Sequence, residues 1–374
     1  MIQDILDYFD PLDYLELWLT IAFVIAFYIS YSSFPAIFNV AEAKHLMDEP
    51  TDRSTHSVKT PTLGGISIYL SLVVVITTTG ALLDTKILLL LLGGLTILFF
   101  LGLKDDLLIL SPKKKFLGQL LAAGLLIVFT DTRILGFSGL FGITILPYWF
   151  SVSLTLFVYV LLINAFNLID GVDGLAGSLA LFASAAFAFI FIQIKDVSMA
   201  TIAVGMIGAL LPFLRLNFSR KNKIFMGDTG SMIIGFLIAF FVIKFIGHSQ
   251  NYPEAKFHNS APVIAFAIVF FPLLDTLRIF FIRLVIHKKS PFVADRNHLH
   301  HRFLEIGFSH VRTTVCIVLI NIIIVVFVYF MRNLDIHIQF LLLLIVGSLL
   351  YALFFIWNWI SNNFSRSNIF KNLP

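Results

Sequence analysis

Eleven apolar stretches dominate this chain and leave it little choice of fold. They fall at residues 15–39, 63–83, 87–103, 116–130, 148–168, 174–194, 198–216, 231–248, 261–286, 312–331 and 338–360, the fourth being short. A hydrocarbon layer about 30 Å thick takes roughly 20 residues of helix, and only helices or closed barrels satisfy their own backbone groups inside it. Hydrophobic residues make up 59% of the chain, charged ones 13%, and the mean hydropathy is +0.94, well away from soluble domains. The expectation is an all-α polytopic membrane protein with about eleven transmembrane helices. It is read as one domain over residues 1–374, with a core at 15–330 and C-terminal spans and tail at 312–374.

Short cytoplasmic loops collect Lys and Arg, which sets orientation. With the N-terminus outside, 20 of the 26 basic residues fall inside; only Lys86, Arg133, Lys195, Lys244, Lys256 and Arg332 lie outside, and the C-terminus becomes cytoplasmic. Basic loops placed this way face anionic headgroups and phosphates, so the net charge of +4 is no sign of a nucleic-acid partner. Residues 1–16 carry five acids and no base, unlike a secretory signal, so the first span is expected to be retained. Cys316 stands alone inside a span, which excludes an intrachain disulfide. Pro272 predicts that the ninth span is kinked or broken, with Asp275 and Arg278 spaced to pair on one helical face. Gly136, Gly139 and Gly142, set between β-prone runs, predict a small extracytoplasmic hairpin near 131–147.

Once orientation is fixed, five polar clusters share the cytoplasmic side. Arg53, His56 and Lys59 lead into Thr60-Pro-Thr-Leu-Gly64-Gly65, where paired glycines permit close backbone approach. Lys104-Asp105-Asp106 precedes Ser111-Pro-Lys113-Lys114-Lys115; adjacent carboxylates repel unless a divalent cation or a lysine offsets them. Asn164, Asn167, Asp170 and Asp173 recur at every third residue, with Gly171 and Gly174 to end the helix, and such hard oxygen donors suit Mg²⁺. Because that stripe drifts about 60° per step on an ideal helix, the four cannot share one narrow face. Phe225-Met-Gly227-Asp228-Thr-Gly-Ser231 opens the eighth span, where helix N-terminal amides would favour anionic oxygens. Finally, Asp295-Arg296-Asn-His298-Leu-His300-His301-Arg302 combines imidazoles with arginines; a zinc site competes with pyrophosphate binding there, but no cysteine or His-Glu helix motif lies nearby.

The ordered motifs Lys104-Asp105-Asp106, Asn164 to Gly177, Met226-Gly-Asp-Thr-Gly-Ser231 and His298-Leu-His-His301 resemble the polyprenyl-phosphate N-acetylhexosamine-1-phosphate transferase family over roughly residues 15–330. The His-Leu-His-His motif, Lys59 before Thr60, and the spacing of Arg53 and His56 bring it nearer the branch that starts O-antigen, common-antigen or teichoic-acid linkage units from UDP-GlcNAc. The phospho-N-acetylmuramoyl-pentapeptide transferase branch typically has three consecutive histidines. The resemblance implies transfer of a HexNAc-1-phosphate from a UDP-N-acetylhexosamine to undecaprenyl phosphate, releasing UMP, at the inner membrane. It implies Mg²⁺, with Mn²⁺ as a substitute, and a homodimer. By the same resemblance Asp228 and Asn167 hold the metal, while Asp105 or Asp106 deprotonates or orients the lipid phosphate. Lys115 contacts phosphate, and His298, His300 and His301 hold the diphosphate. Lys59, Asn164, Asp170, Asp173, Phe225, Gly227, Arg296 and Arg302 bind substrate, several of them around the uridine. A transporter or an intramembrane aspartyl protease would also carry ionisable groups, but nearer the membrane midplane.

Overall fold

A computed structural model describes residues 11–44, 46–48, 60–108, 110–252, 257–286, 288 and 298–371, with backbone alone at 354 and 357–371. Its helices in chain order are α1 Leu15–Ala43, α2 Gly64–Leu82, α3 Thr85–Leu108, α4 Pro112–Thr130, α5 Tyr148–Ile169, α6 Leu175–Gln193, α7 Val197–Asn217, α8 Gly227–Asn251, α9 Ala261–Ile268, α10 Phe270–Phe281, α11 Leu299–Glu305, α12 His310–Phe330 and α13 Ile336–Lys371. Among the described residues nine helices are long and apolar enough to cross a membrane, and the bent pair α9–α10 makes a tenth. The remaining expected span is α4, whose first turn is Lys113-Lys114-Lys115.

The bundle is organised around α8. Every residue from Thr229 to Ile243 is buried, as expected of a helix apolar on all sides. It packs against α2, α3, α5, α6 and α9, while α7 fills the space between α1, α2 and α6. Since lipid is as apolar as leucine, close helix contact rests on small residues and dispersion. A Cβ on Gly65 of α2 would sit 2.2 Å from the Gly230 amide nitrogen, and one on Gly102 of α3 would sit 2.4 Å from Thr229 Cα. These two glycines let the start of α8 press against two neighbours at once.

The sequence did not announce the antiparallel pair β1 Met47–Asp48 and β2 Thr60–Pro61, with Met47 opposite Pro61. Pro61 accepts a hydrogen bond from the Phe225 amide, and the Gly64 and Gly65 amides donate to the Phe225 and Met226 carbonyls. The loop before α8 is thereby stitched to the entry of α2.

One local expectation is corrected, and another, the broken ninth span, is met. Residues 131–147 form no strand; the segment folds around a 3₁₀ turn at Leu140–Gly142, with positive φ at Asp131, Ser138, Gly139, Phe141 and Gly142. That many left-handed residues interrupt any ladder, and only isolated cross-bonds such as Leu146 N–H to Leu135 O form. In the ninth span the break falls at Val269, with a bend of 77°, rather than at Pro272 itself. The proline ring excludes the carbonyl four residues earlier, which is that of Ile268. Asn321 of α12 takes up the freed groups: its Nδ2 donates to Ile268 O at 3.0 Å, and its Oδ1 accepts from the Phe271 amide at 3.1 Å. Asn321→Leu, which strands both buried backbone groups, is expected to destabilise the protein by about 1–3 kcal/mol. Thermal unfolding in detergent checks this, and an unchanged midpoint would remove Asn321 from that role.

Candidate active site

The chain enters α8 through Gly227, whose φ of +71° is left-handed, and a Cβ there would lie 2.2 Å from Thr62 O and 2.8 Å from the Asp106 carboxylate. Only glycine suits this corner. Asp106, near the end of α3, turns both oxygens onto the new helix. Oδ1 accepts the Asp228 amide at 2.7 Å, and Oδ2 accepts the Thr229 amide at 3.1 Å and the Thr229 hydroxyl at 2.6 Å. The helix thus receives its anionic cap from another helix, since Met226 at its own N-cap position makes no side-chain bond. The anionic oxygens that these amides were expected to favour are thus supplied, for two of them, by a carboxylate of the chain itself.

One step outward lies a charged cluster. Lys115, in the first turn of α4, pairs with Asp105 and donates to Asp228 Oδ2 at 2.5 Å. Asp105 is buried, and its other oxygen accepts the Leu110 amide at 2.5 Å. Asn167, in the last turn of α5, donates to Asp228 Oδ1 at 2.5 Å and to Ser231 Oγ at 2.9 Å. Asp228 therefore sits between an ammonium and an amide, still about a quarter exposed. Asn164 does not join them. One turn deeper, it donates to Gln119 Oε1 at 2.9 Å and Val160 O at 2.7 Å, so it ties α5 to α4. The three-residue spacing that separates it from Asn167 also rotates it off the site.

After α5 the chain turns through Asp170 to Gly174. Burial, then the charges of Asp106 and Asp173, push the Asp170 carboxyl well above the usual carboxylate range, so it tends to hold its proton. Burial alone would also raise Asp173, yet hydrogen bonds from His310 and Lys223 outweigh it and hold that carboxyl low. Lys223 Nζ lies 2.6 Å from Asp173 Oδ2 and His310 Nδ1 3.3 Å from it. The same ammonium stands 5.2 Å above the Phe225 ring. Thr314 Oγ1 donates to Asp173 O, and the Gly174 amide donates to Asn217 Oδ1, whose Nδ2 reaches Ile224 O. Two acids three residues apart are thus shifted in opposite directions.

The histidine motif arrives from α11. The Asp275 carboxylate in α10, fully buried, accepts the Leu299 amide at 2.5 Å on Oδ1; on Oδ2 it meets His300 Nδ1 at 2.8 Å and His298 Nδ1 at 3.2 Å. The expected pairing of Asp275 with Arg278 gives way to this arrangement, because three donors from α11 reach the carboxylate. A Cβ on Gly171 would lie 4.0 Å from His300 Nε2 and 3.9 Å from His301 Cε1, so the motif faces the Asp170–Asp173 turn. Arg302 pairs with Glu305 at 2.8 Å on the exposed side of α11. Lys59 and Arg296, with Arg53 and His56, lie outside the described residues.

Asp105, Asp106, Lys115, Asn167, Asp170, Asp173, Phe225, Gly227, Asp228, His300 and His301 are brought to one end of the bundle, and Asn164 and Arg302 are directed elsewhere. Sequence reasoning missed His310, Asn217 and the role of Asp275. The first two sit at helix ends without a motif, and Asp275 is 23 residues from His298 with no local signal to connect them. What results is a polar cluster of carboxylates, amide and ammonium, flanked by imidazoles, at one end of an otherwise apolar bundle.

Residues 88–246, from α3 through most of α8, match the model of the family described as Glycosyl transferase family 4. An undecaprenyl-phosphate alpha-N-acetylglucosaminyl 1-phosphate transferase of Escherichia coli (strain K12) is 33% identical over 286 residues, 75% of each chain. Its counterpart in Salmonella typhimurium is 32% identical over 280 residues, 73% of each. A decaprenyl-phosphate N-acetylglucosaminephosphotransferase of Mycobacterium tuberculosis is 33% identical over 292 residues, 72% of each. With such relatives aligned over three quarters of its length, and with the shared segment holding the acidic pair, the Asn-Asp turn and the Gly-Asp corner, this chain belongs to glycosyl transferase family 4.

Proposed function

We propose that the protein transfers N-acetylglucosamine 1-phosphate from UDP-N-acetylglucosamine to undecaprenyl phosphate, releasing UMP, at the cytoplasmic face of the inner membrane. The observation that carries this reading is Asp228 held between Lys115 and Asn167 beside the Asp170–Asp173 turn, in a chain aligned with relatives named for this transfer. The basic residues around the pocket, Lys104 and Lys113 to Lys115 among them, support a cytoplasmic site.

Transfer between two phosphates brings anions together, so the protein's task is to position them and offset charge. Asp105 and Asp228 already converge on a single cationic group, the Lys115 ammonium, and their hard oxygens with the neighbouring amide suit Mg²⁺. Asp228 and Asn167 would hold that ion, which when bound supplies positive charge at the diphosphate. Lys115 offsets charge on the attacking lipid phosphate. Asp105 sets the lysine's place and Asp106 caps α8; each has both oxygens engaged, so either would receive a proton from the acceptor only by giving up a partner. The lipid phosphate attacks the β-phosphorus as the bond to the UMP oxygen breaks, and His298, His300 and His301 steady the diphosphate. Asp170, whose carboxyl is pushed toward holding its proton, can in that form donate to a uracil carbonyl, while Asp173, Lys223 and Phe225 complete the nucleoside wall. An apolar cavity of about 320 Å³ lies toward the opposite end of the bundle, lined among others by Phe137 and Phe141 of the 131–147 segment, Leu154 of α5 and Ile246 of α8, and it shares no residue with the polar cluster.

Asp228→Asn is expected to lower transfer of label from UDP-N-acetylglucosamine to undecaprenyl phosphate by about 10²-fold or more, with an unchanged unfolding midpoint. Near wild-type turnover would remove Asp228 from the site. By contrast Asn164→Ala should lower thermal stability while kcat/KM of the folded protein stays within about threefold; a catalytic loss without a stability loss would return Asn164 to the pocket.

Of the two oppositely shifted acids, Asp170 is the one that sets a pH dependence on the alkaline side. As pH rises through the elevated Asp170 value, the carboxyl loses its donor proton and joins two like charges, so KM for the UDP-sugar should climb on the alkaline side. Asp170→Asn keeps a donor that cannot ionise and should flatten that climb. A variant profile as steep as the wild type would contradict the assignment.

A further inference from the structure

Among the described residues Asp275 is the one fully buried carboxylate that the chemistry above leaves unused. An ionised group taken out of water costs several kcal/mol unless it is paired, and a well-packed apolar residue would join α10 to α11 at least as firmly. What an apolar residue could not do is fix two imidazole rings. Asp275 Oδ2 meets Nδ1 of both His298 and His300, and the Leu299 amide between them anchors Oδ1. The rings are stacked with centroids 5.2 Å apart, and His301 lies 4.3 Å from His300.

With Nδ1 engaged by the carboxylate, the opposite ring nitrogen must point away from it. His300 Nε2 is buried without a hydrogen-bond partner and lies against Gly171, between Asp170 and Asp173. A buried polar atom left open beside a pocket is aimed at a ligand.

We propose that Asp275 is a positioning residue for the transfer: its carboxylate fixes the Nδ1–H side of His298 and His300, and so presents His300 Nε2 to the phosphoryl oxygens of the nucleotide diphosphate. This rests on the transferase reading above. To donate to an anionic oxygen, Nε2 takes up a second proton from solvent as the diphosphate binds, and Asp275 provides the counter-charge for the resulting imidazolium. No bond to Asp275 forms or breaks.

The test is a double-variant cycle on the purified full chain, reading kcat/KM with UDP-N-acetylglucosamine and undecaprenyl phosphate. Asp275→Asn keeps an oxygen for the Leu299 amide but turns a donor toward the imidazoles, which moves the ring proton and removes the charge. Alone it should lower kcat/KM about 10–100-fold, the range for carboxylates that orient histidines. In a His298→Gln/His300→Gln background it should lower kcat/KM by less than about threefold, because both rings it acts through are gone. Asp275→Glu, which retains the charge, is read in the same cycle and must also lose its effect when both histidines are absent. Equal losses in both backgrounds would make Asp275 merely structural and overturn the proposal, as would stoichiometric zinc retained by the purified protein. If His300→Gln transfers at the wild-type rate while Asp228→Asn is inactive, this inference falls and the transferase reading stands. If the wild-type protein itself transfers nothing, the reading beneath it falls first.

Discussion

A carboxylate from one membrane helix set on the N-terminus of another is the contact from which the rest of this site follows. The first turn of α8 carries unsatisfied amides and the positive end of a helix dipole in a place where little water can reach them. Asp106 meets that need from α3 with both oxygens, and Gly65 and Gly102 let the backbones come close enough for it to do so. Once α8 begins there, Asp228 points outward toward Lys115 and Asn167 rather than inward. Without the cap, the most enclosed helix of the bundle would start on stranded donors, each costing about 1–3 kcal/mol.

The second constraint is how five carboxylates share one end of an apolar bundle. Each acid has its own remedy: Asp106 the helix dipole, Asp105 and Asp228 the shared Lys115, Asp173 the side chains of Lys223 and His310, and Asp170 a carboxyl shifted upward toward its protonated form. Groups in such different states cannot substitute for one another. The site therefore sets charged groups near Asp228 beside a carboxyl shifted toward its protonated form at Asp170, the pattern proposed above to meet a charged diphosphate and an uncharged base.

Much of this was legible in the chain, because the thickness of hydrocarbon converts directly into run length and nearly every helix lies where an apolar run predicts one. Motifs that carry their own geometry were legible as well: Gly227 before Asp228 marks a left-handed corner, and Asn167 stands at the end of a span. What stayed hidden depends on tertiary partners. Nothing in residues 225–231 reveals that the cap comes from Asp106, and nothing near Pro272 reveals that Asn321, some fifty residues later, absorbs the break. Asp275 looked like half of a local pair with Arg278 until the fold brought three donors from α11 to it. Glycines in 131–147 suggested a hairpin, whereas their left-handed neighbours Ser138 and Phe141 make a ladder impossible, a choice that local composition does not encode.

The central claim is that these distant segments surround one divalent cation and one diphosphate. Electron paramagnetic resonance of the purified protein with Mn²⁺ and UDP-N-acetylglucosamine tests it most directly, through hyperfine coupling between the metal and phosphorus. The account predicts one bound Mn²⁺ per chain coupled to ³¹P, and loss of that signal in Asp228→Asn. A bound ion with no phosphorus coupling, or coupling that survives in the variant, would contradict it.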